Sequence, residues 1–346
     1  MQKCIESDQP IPIFFAFRCV TVDIIFEYMF GRNPYLIDRE DWGQGFYDFW
    51  RSLWEISPWL RQFPSMLKVL QSIPRWVLAV TSPKALQVMD METQAINWTK
   101  EILSADPKEM ETREHKTVIW ELAHTSSLPP KEREPRRLAI DCNSTVAAGF
   151  ETTGSALSHL IFGVLNNERI HQKLLDELQF EILDPEKIPS YQELQELPYF
   201  HAVIREGIRH SIGAMGRQSR VNPKAAMSYK GWIIPAGFAF GMSAYYILMD
   251  PEIYSKPHDF NPERWLAPDA HEKLHPYFYP FGKGTRSYVG QNLALAELHI
   301  AFATIMRRFP SLKLYNTTKD DVEIRHDFFA GMWKYEKGDM GLQVKG

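Results

Sequence analysis

Cysteine is scarce in this chain of 346 residues: Cys4, Cys19 and Cys142 are all it has. An odd count without paired or ligand-like spacing excludes a disulfide framework and a cysteine metal site. It reads as reduced, packed thiols in a cytosol-facing protein. Apolar runs of about 20 residues are absent as well, and Pro10 and Pro12 break residues 1–18, so the sequence offers neither a membrane anchor nor a convincing signal peptide. Positive charge is not in excess: 39 lysines and arginines face 43 acids, leaving a net charge of −4 and a pI near 6.3. That balance gives no basic field for a nucleic-acid partner, and no Lys/Arg cluster marks a polybasic membrane patch. Repeats, low-complexity tracts and signs of disorder are missing too.

What remains is a chain that is 45% hydrophobic and 13% aromatic, long enough to bury a large core. Helical periodicity dominates its first two-thirds. Residues 16–30 place apolar side chains at helical spacing, and Trp42, Phe46, Phe49, Trp50 and Trp54 fall on neighbouring turns as a core stripe. Pro58, Pro64 and Pro74 punctuate the next stretch, and Pro129, Pro130 and the charged run 131–137 mark a loop before a long helix over 138–166. Short strand-like runs follow at 217–227, 232–241 and 322–344. The pattern predicts a mainly α protein with a small β region late in the chain. We expect one domain over 1–346, helical to about 215 and β-containing from about 216 to 346.

Four segments carry chemistry. In the long helix, Gly149 and the hydroxyl run Thr152, Thr153 and Ser155 can bend the backbone and open a pocket beside an acid, Glu151, and an alcohol, Thr152. A carboxyl group so placed suits general acid catalysis. Glu206 and Arg209 are three apart and share a helix face, and Arg264, from a Pro-flanked segment, adds a second arginine; we read this trio as structural. Residues 231–237 (GWIIPAG) read as a hairpin, with Arg217 and Arg220 on the strand before it. The stretch 281–290 (FGKGTRSYVG) supplies an aromatic wall at Phe281, tight turns at Gly284 and Gly290, and a carboxylate-matching fork at Arg286. A helix over 291–309 follows, its N-terminus suited to an anion.

In this order and along nearly the whole chain, these segments resemble the cytochrome P450 family. Residues 148–153 (AGFETT) resemble the oxygen-activating kink of that family's central helix. Residues 206–209 resemble its Glu-x-x-Arg, and 260–265 (FNPERW) its Pro-Glu-Arg-Phe meander. Residues 281–290 resemble its haem loop, Phe-x-x-Gly-x-Arg-x-Cys-x-Gly, at every defining position but one: the iron-ligating cysteine is Tyr288 here. The resemblance implies a P450 fold and haem b as cofactor, bound by Phe281, Gly284, Arg286, Tyr288 and Gly290. A second propionate contact would come from Arg220, with Arg217 as the alternative. It assigns proton delivery to Glu151 and Thr152, and electrons to an NADPH-dependent cytochrome P450 reductase as partner. Residues 291–299 and 312–331 look most like fungal members, which commonly hydroxylate or epoxidise apolar terpenoid or polyketide intermediates of secondary metabolism.

Two departures bear on these expectations. Residues 20–31 resemble a helix that in the family follows the anchor, the first strands and a haem-contacting helix, so the chain is expected to lack that N-terminal part. Tyrosine ligates haem iron in catalases. Its phenol ionises near pH 10, however, and its oxygen lies a ring farther from the backbone than a thiolate sulfur. Cys142 is too far along the helix to take its place. Two readings stay open: a haem-dependent monooxygenase, or a P450-like relic or binding protein that kept the fold and lost the chemistry.

Overall fold

The computed structural model describes residues 1–113, 115–184, 186–328, 330–336 and 339–346, without the side chains of Leu67, Leu70, Gln71, Lys84 and Glu109. The chain packs as two compact units, one of Met1–Ile11, Ser155–Glu336 and Leu342–Gly346, the other of Pro12–Gly154 and Lys337–Gly341.

The second of these is helical. Its α1 (Ile13–Phe30) is apolar nearly all round and buried on most faces, as a core helix must be. Asp23, inside it, is reconciled to burial by accepting the backbone N–H groups of Leu36 and Ile37 at 2.9 and 3.2 Å. In α2 (Gln44–Gln62), Tyr47, Trp50, Arg51 and Trp54 are buried at spacings of three and four; of the stripe expected from sequence only Trp50 and Trp54 are among them, and Phe46 and Phe49 are half-buried. Phe150 receives Phe46, Trp50 and Trp54 at centroid distances of 5.3–5.7 Å. Each fully buried aromatic of this kind contributes roughly 1.5–3 kcal/mol. Trp42 stands apart from the stripe: it precedes the helix, at φ +50°, and its carbonyl accepts from Cys19 Sγ at 3.0 Å. Pro83 opens α3 (Pro83–Leu103) at the position where a missing N–H costs nothing.

The longest element is α4 (Pro135–Leu165), starting three residues before the predicted 138. At 1.5 Å per residue its 31 residues extend about 46 Å. It is unbroken through Gly149, where the sequence suggested a bend.

In the first unit, α5 (Glu168–Glu181) is capped by Asn167, whose side chain accepts the Ile170 N–H at 3.3 Å. Pro198 opens α6 (Pro198–Ser211). A Cβ on Gly207 would meet Leu160 at 2.3 Å, so only glycine lets α6 lie this close to that side chain. The last long helix, α7 (Gln291–Arg308), ends one residue short of the predicted 309.

Strands are short and pair two by two, all antiparallel. β1 (Arg220–Val221) pairs with β4 (Ala239–Phe240), and β2 (Met227–Tyr229) with β3 (Trp232–Ile234). Lys230 and Gly231, both at positive φ, make the two-residue turn of the β2–β3 hairpin, with Tyr229 opposite Trp232. β5 (Lys313–Tyr315) pairs with β8 (Gln343–Lys345), and β6 (Ile324–Asp327) with β7 (Gly331–Trp333). The predicted strand 217–227 thus shrinks to two residues plus the start of a hairpin, and Arg217 lies outside it. A bridge from Ile11 to Val344 ties the unit's two ends together. Among the described residues, no helix is long and apolar enough to cross a membrane. The architecture is mainly α with a small β component.

Candidate functional site

The loop before α7 closes on itself. Gly282 and Gly284 sit at φ +74° and +78°, left-handed backbone that glycine adopts freely. Gly284–Arg286 forms a single 3-10 turn. The Tyr288 N–H donates to the Phe281 carbonyl at 2.8 Å, and the Ser287 N–H to Gly284 at 3.1 Å. The Tyr288 ring lies nearly parallel to Phe281, with centroids 6.3 Å apart and a 14° interplanar angle. Its atoms come within 3.0–3.2 Å of where a Cβ on Gly290 would stand. Gly290, expected to let a macrocycle approach, here makes room for the phenol.

The three arginines expected to meet an anion are all exposed. Arg286 is exposed and makes no ion pair or hydrogen bond among the described residues. Arg220 is exposed on β1, its guanidinium donating to the Ser219 carbonyl at 3.1 Å. Arg217 is exposed as well. Glycine turns with an exposed arginine fit an anionic edge such as a propionate.

The donor set does not fit a thiolate-ligated iron. By the family resemblance Tyr288 stands where a ligating cysteine would, and none of the three cysteines belongs to the loop 281–290. Cys19 and Cys142 are buried in the second unit, and each thiol is pushed up to about 12, Cys19 by burial and then by the charge of Asp23, Cys142 by burial and then by Asp141. Cys4 belongs to the short helix Gln2–Glu6. Among the described residues, no group of three or more His, Cys, Asp or Glu side chains could hold a metal ion.

The acid and alcohol of α4 are found in a different environment from the solvent-linked one that proton delivery suggests. Glu151 is 1% exposed, and both its oxygens are taken by one residue: Arg18 Nε donates to Oε2 at 2.8 Å and an Arg18 terminal nitrogen to Oε1 at 2.6 Å. Arg18 lies 3.6 Å above the Phe14 ring and donates to the Phe14 carbonyl at 3.0 Å. Thr152 Oγ1 donates back to the Ala148 carbonyl at 2.9 Å, the bond expected of a helical threonine. Arg18 was missed in the sequence. Its signal was there: a lone arginine inside an apolar, buried helix must have a buried partner.

Glu206, Arg209 and Arg264 lie in contact. Glu206 and Arg209 are fully buried, joined by bonds of 3.1 and 2.8 Å, and Arg264 Nε reaches Glu206 Oε1 at 3.1 Å. Burial alone would raise the carboxyl's pKa. The hydrogen bonds and charges of His210 and Arg209 outweigh it and hold the group far below the usual carboxylate range. Two further donors were not foreseen: the Asn261 N–H at 3.0 Å and Trp265 Nε1 at 2.9 Å. Arg209 also donates to the carbonyls of Leu248 and Pro257, so the cluster ties α6 to the end of the short helix Ala244–Leu248 and to the segment after it.

Comparison with known proteins agrees with this architecture. The chain is 33% identical over 344 residues to cytochrome P450 monooxygenase sdnE of Sordaria araneosa, covering 96% of this chain and 66% of that protein. Identity is 31% over 334 residues to cytochrome P450 monooxygenase MO6277 of Ascocoryne sarcoides, covering 93% and 65%. It is 31% over 321 residues to fusicoccadiene C-8 hydroxylase of Phomopsis amygdali, covering 88% and 61%. The chain spans between 60% and 66% of the length of these and similar curated relatives. The family model for cytochrome P450 matches residues 1–334. By that match, along nearly all of its length, the chain belongs to the cytochrome P450 family.

Proposed function

We propose that this chain derives from haem-dependent monooxygenases that hydroxylate or epoxidise an apolar small molecule, such as a terpenoid or polyketide intermediate. As it stands, it lacks the thiolate on which that chemistry depends. The observation that carries this reading is Tyr288, stacked on Phe281 and filling the space above Gly290. Support for the ancestral activity comes from relatives named as monooxygenases and, in one case, as a hydroxylase. We read residues 1–346 as belonging to one domain, with a cytochrome P450 reductase as the ancestral electron donor. Arg286 and Arg220 would meet the two propionates of haem b, and Glu206, Arg209 and Arg264 would hold the fold around it. No catalytic step is assigned to the loop, because its donor set does not fit.

A fully active monooxygenase is the competing reading. It is favoured by the adjacent Glu151 and Thr152 and by the complete Glu206 cluster. NADPH consumption in the presence of a cytochrome P450 reductase and added haem separates the two. The natural chain is expected to add nothing to the rate of the reductase alone. Consumption equal to that of the Tyr288→Cys variant, and above the background, would overturn the proposal.

A further inference from the structure

We propose that the first unit carries a second binding site, for a small phosphate ester, in a cavity of ≈ 840 Å³ where the end of α4, the start of α5 and residues 255–261 meet. No residue of the loop 281–290 lines it, so it is separate from that loop, though it shares Arg264 with the Glu206 cluster. Its volume falls in the range of small-molecule sites. Part of the lining is apolar: Phe162, Ile170, Ile212, Met249, Val322 and Ile324. The charged part is net positive, with Arg169, Lys256, Arg264 and Lys319 against Asp259 and Glu323.

The hydrogen bonds show which of these charges are spent. Arg264 is taken by Glu206 and by the carbonyls of Ser255, Lys256 and Asp259. Arg169 pairs with Glu263 at 3.1 Å, and Glu323 with Arg325 at 2.6 Å. Left over are the ammonium groups of Lys256 and Lys319, which make no ion pair or hydrogen bond among the described residues, and one carboxylate, Asp259. Asn167 and Asn261 use their side-chain oxygens to cap Ile170 and Glu263, which leaves their amide N–H groups as donors.

This inventory selects the ligand. Two lysines without a protein partner act as point charges, which suits the charge of a phosphate. The apolar wall calls for an ester with an aromatic or aliphatic body rather than the bare ion. His210 and Arg264, in the same lining, both touch Glu206, so an occupant would rest against the cluster that holds α6 in place.

Calorimetric titration of the whole chain tests the assignment, with phenyl phosphate, inorganic phosphate and benzyl alcohol as probes. Phenyl phosphate is expected to bind more tightly than inorganic phosphate, and benzyl alcohol not measurably. Lys256→Ala and Lys319→Ala should each weaken phenyl phosphate by roughly tenfold, the worth of one charge-assisted bond. Both lysines are exposed, so the variants should keep the natural circular dichroism spectrum. Lys131→Ala, outside the cavity, should bind as the natural chain does. Absence of binding, equal affinity for inorganic phosphate and phenyl phosphate, or unchanged affinity in both cavity variants would overturn the proposal.

Discussion

Two side chains at the centre of α1 and α4 show how burial decides what a residue can do. Glu151 sits where the family resemblance assigns proton delivery, yet Arg18 occupies both its oxygens in a site with almost no solvent. Buried pairs of this kind are weak sources of net stability but costly to break, because the survivor is an uncompensated charge. Arg18→Met is therefore expected to destabilise the chain by about 3–5 kcal/mol in urea unfolding. Adding Glu151→Leu should recover most of that loss. If the double variant is as unstable as the single, the pair is not the buried unit described here. The sequence announced Glu151 through its neighbours Gly149, Thr152 and Thr153. It did not announce Arg18, since the two lie more than a hundred positions apart and only folding brings them together.

At the scale of elements, helices were easier to read than strands. α7 follows a glycine-rich loop and keeps a 3.6-residue apolar pattern, so its limits were legible to within a residue. The strands before it are two or three residues long, too short for alternation to show, and β1 takes its partner β4 from across the β2–β3 hairpin. The Glu-x-x-Arg spacing revealed the Glu206 cluster, while the indole of Trp265 and the backbone N–H of Asn261 carried no signal of their contact with it.

α7 also carries two groups with opposed titrations. Burial pushes the His299 imidazole down to about 4, and burial pushes the Glu297 carboxyl up to about 8. The folded state therefore binds fewer protons than the unfolded chain at His299 between pH 4 and 6.5, so that contribution to stability rises with pH. At Glu297 the folded state binds more protons between pH 4.5 and 8, so that contribution falls as pH rises. Where the windows overlap, the slopes oppose. Glu297→Gln should steepen the gain in thermal stability as pH rises towards 6.5 and leave the variant more stable than the natural chain above pH 8. Superimposable melting profiles would show that Glu297 is solvated in the folded protein.

On the scale of the whole molecule, the fold and the chemistry separate. Family membership rests on the match over residues 1–334 and on a mainly helical architecture, features that many residues determine together. The proposed loss of haem chemistry hinges on one position, Tyr288. The loop has its own backbone bonds, glycine turns and an exposed arginine, and the tyrosine fits by stacking on Phe281 above Gly290. The sequence showed the replacement. Only the structure shows that the ring is accommodated within the loop.

The measurement that tests this most directly is the absorption spectrum of the haem-reconstituted protein after reduction and exposure to carbon monoxide, recorded beside the Tyr288→Cys variant. The account predicts that the natural chain lacks the red-shifted Soret band of a thiolate-bound ferrous–carbon monoxide complex, and that the variant gains it. A red-shifted band from the natural chain would mean that a cysteine reaches the iron, which would contradict the account.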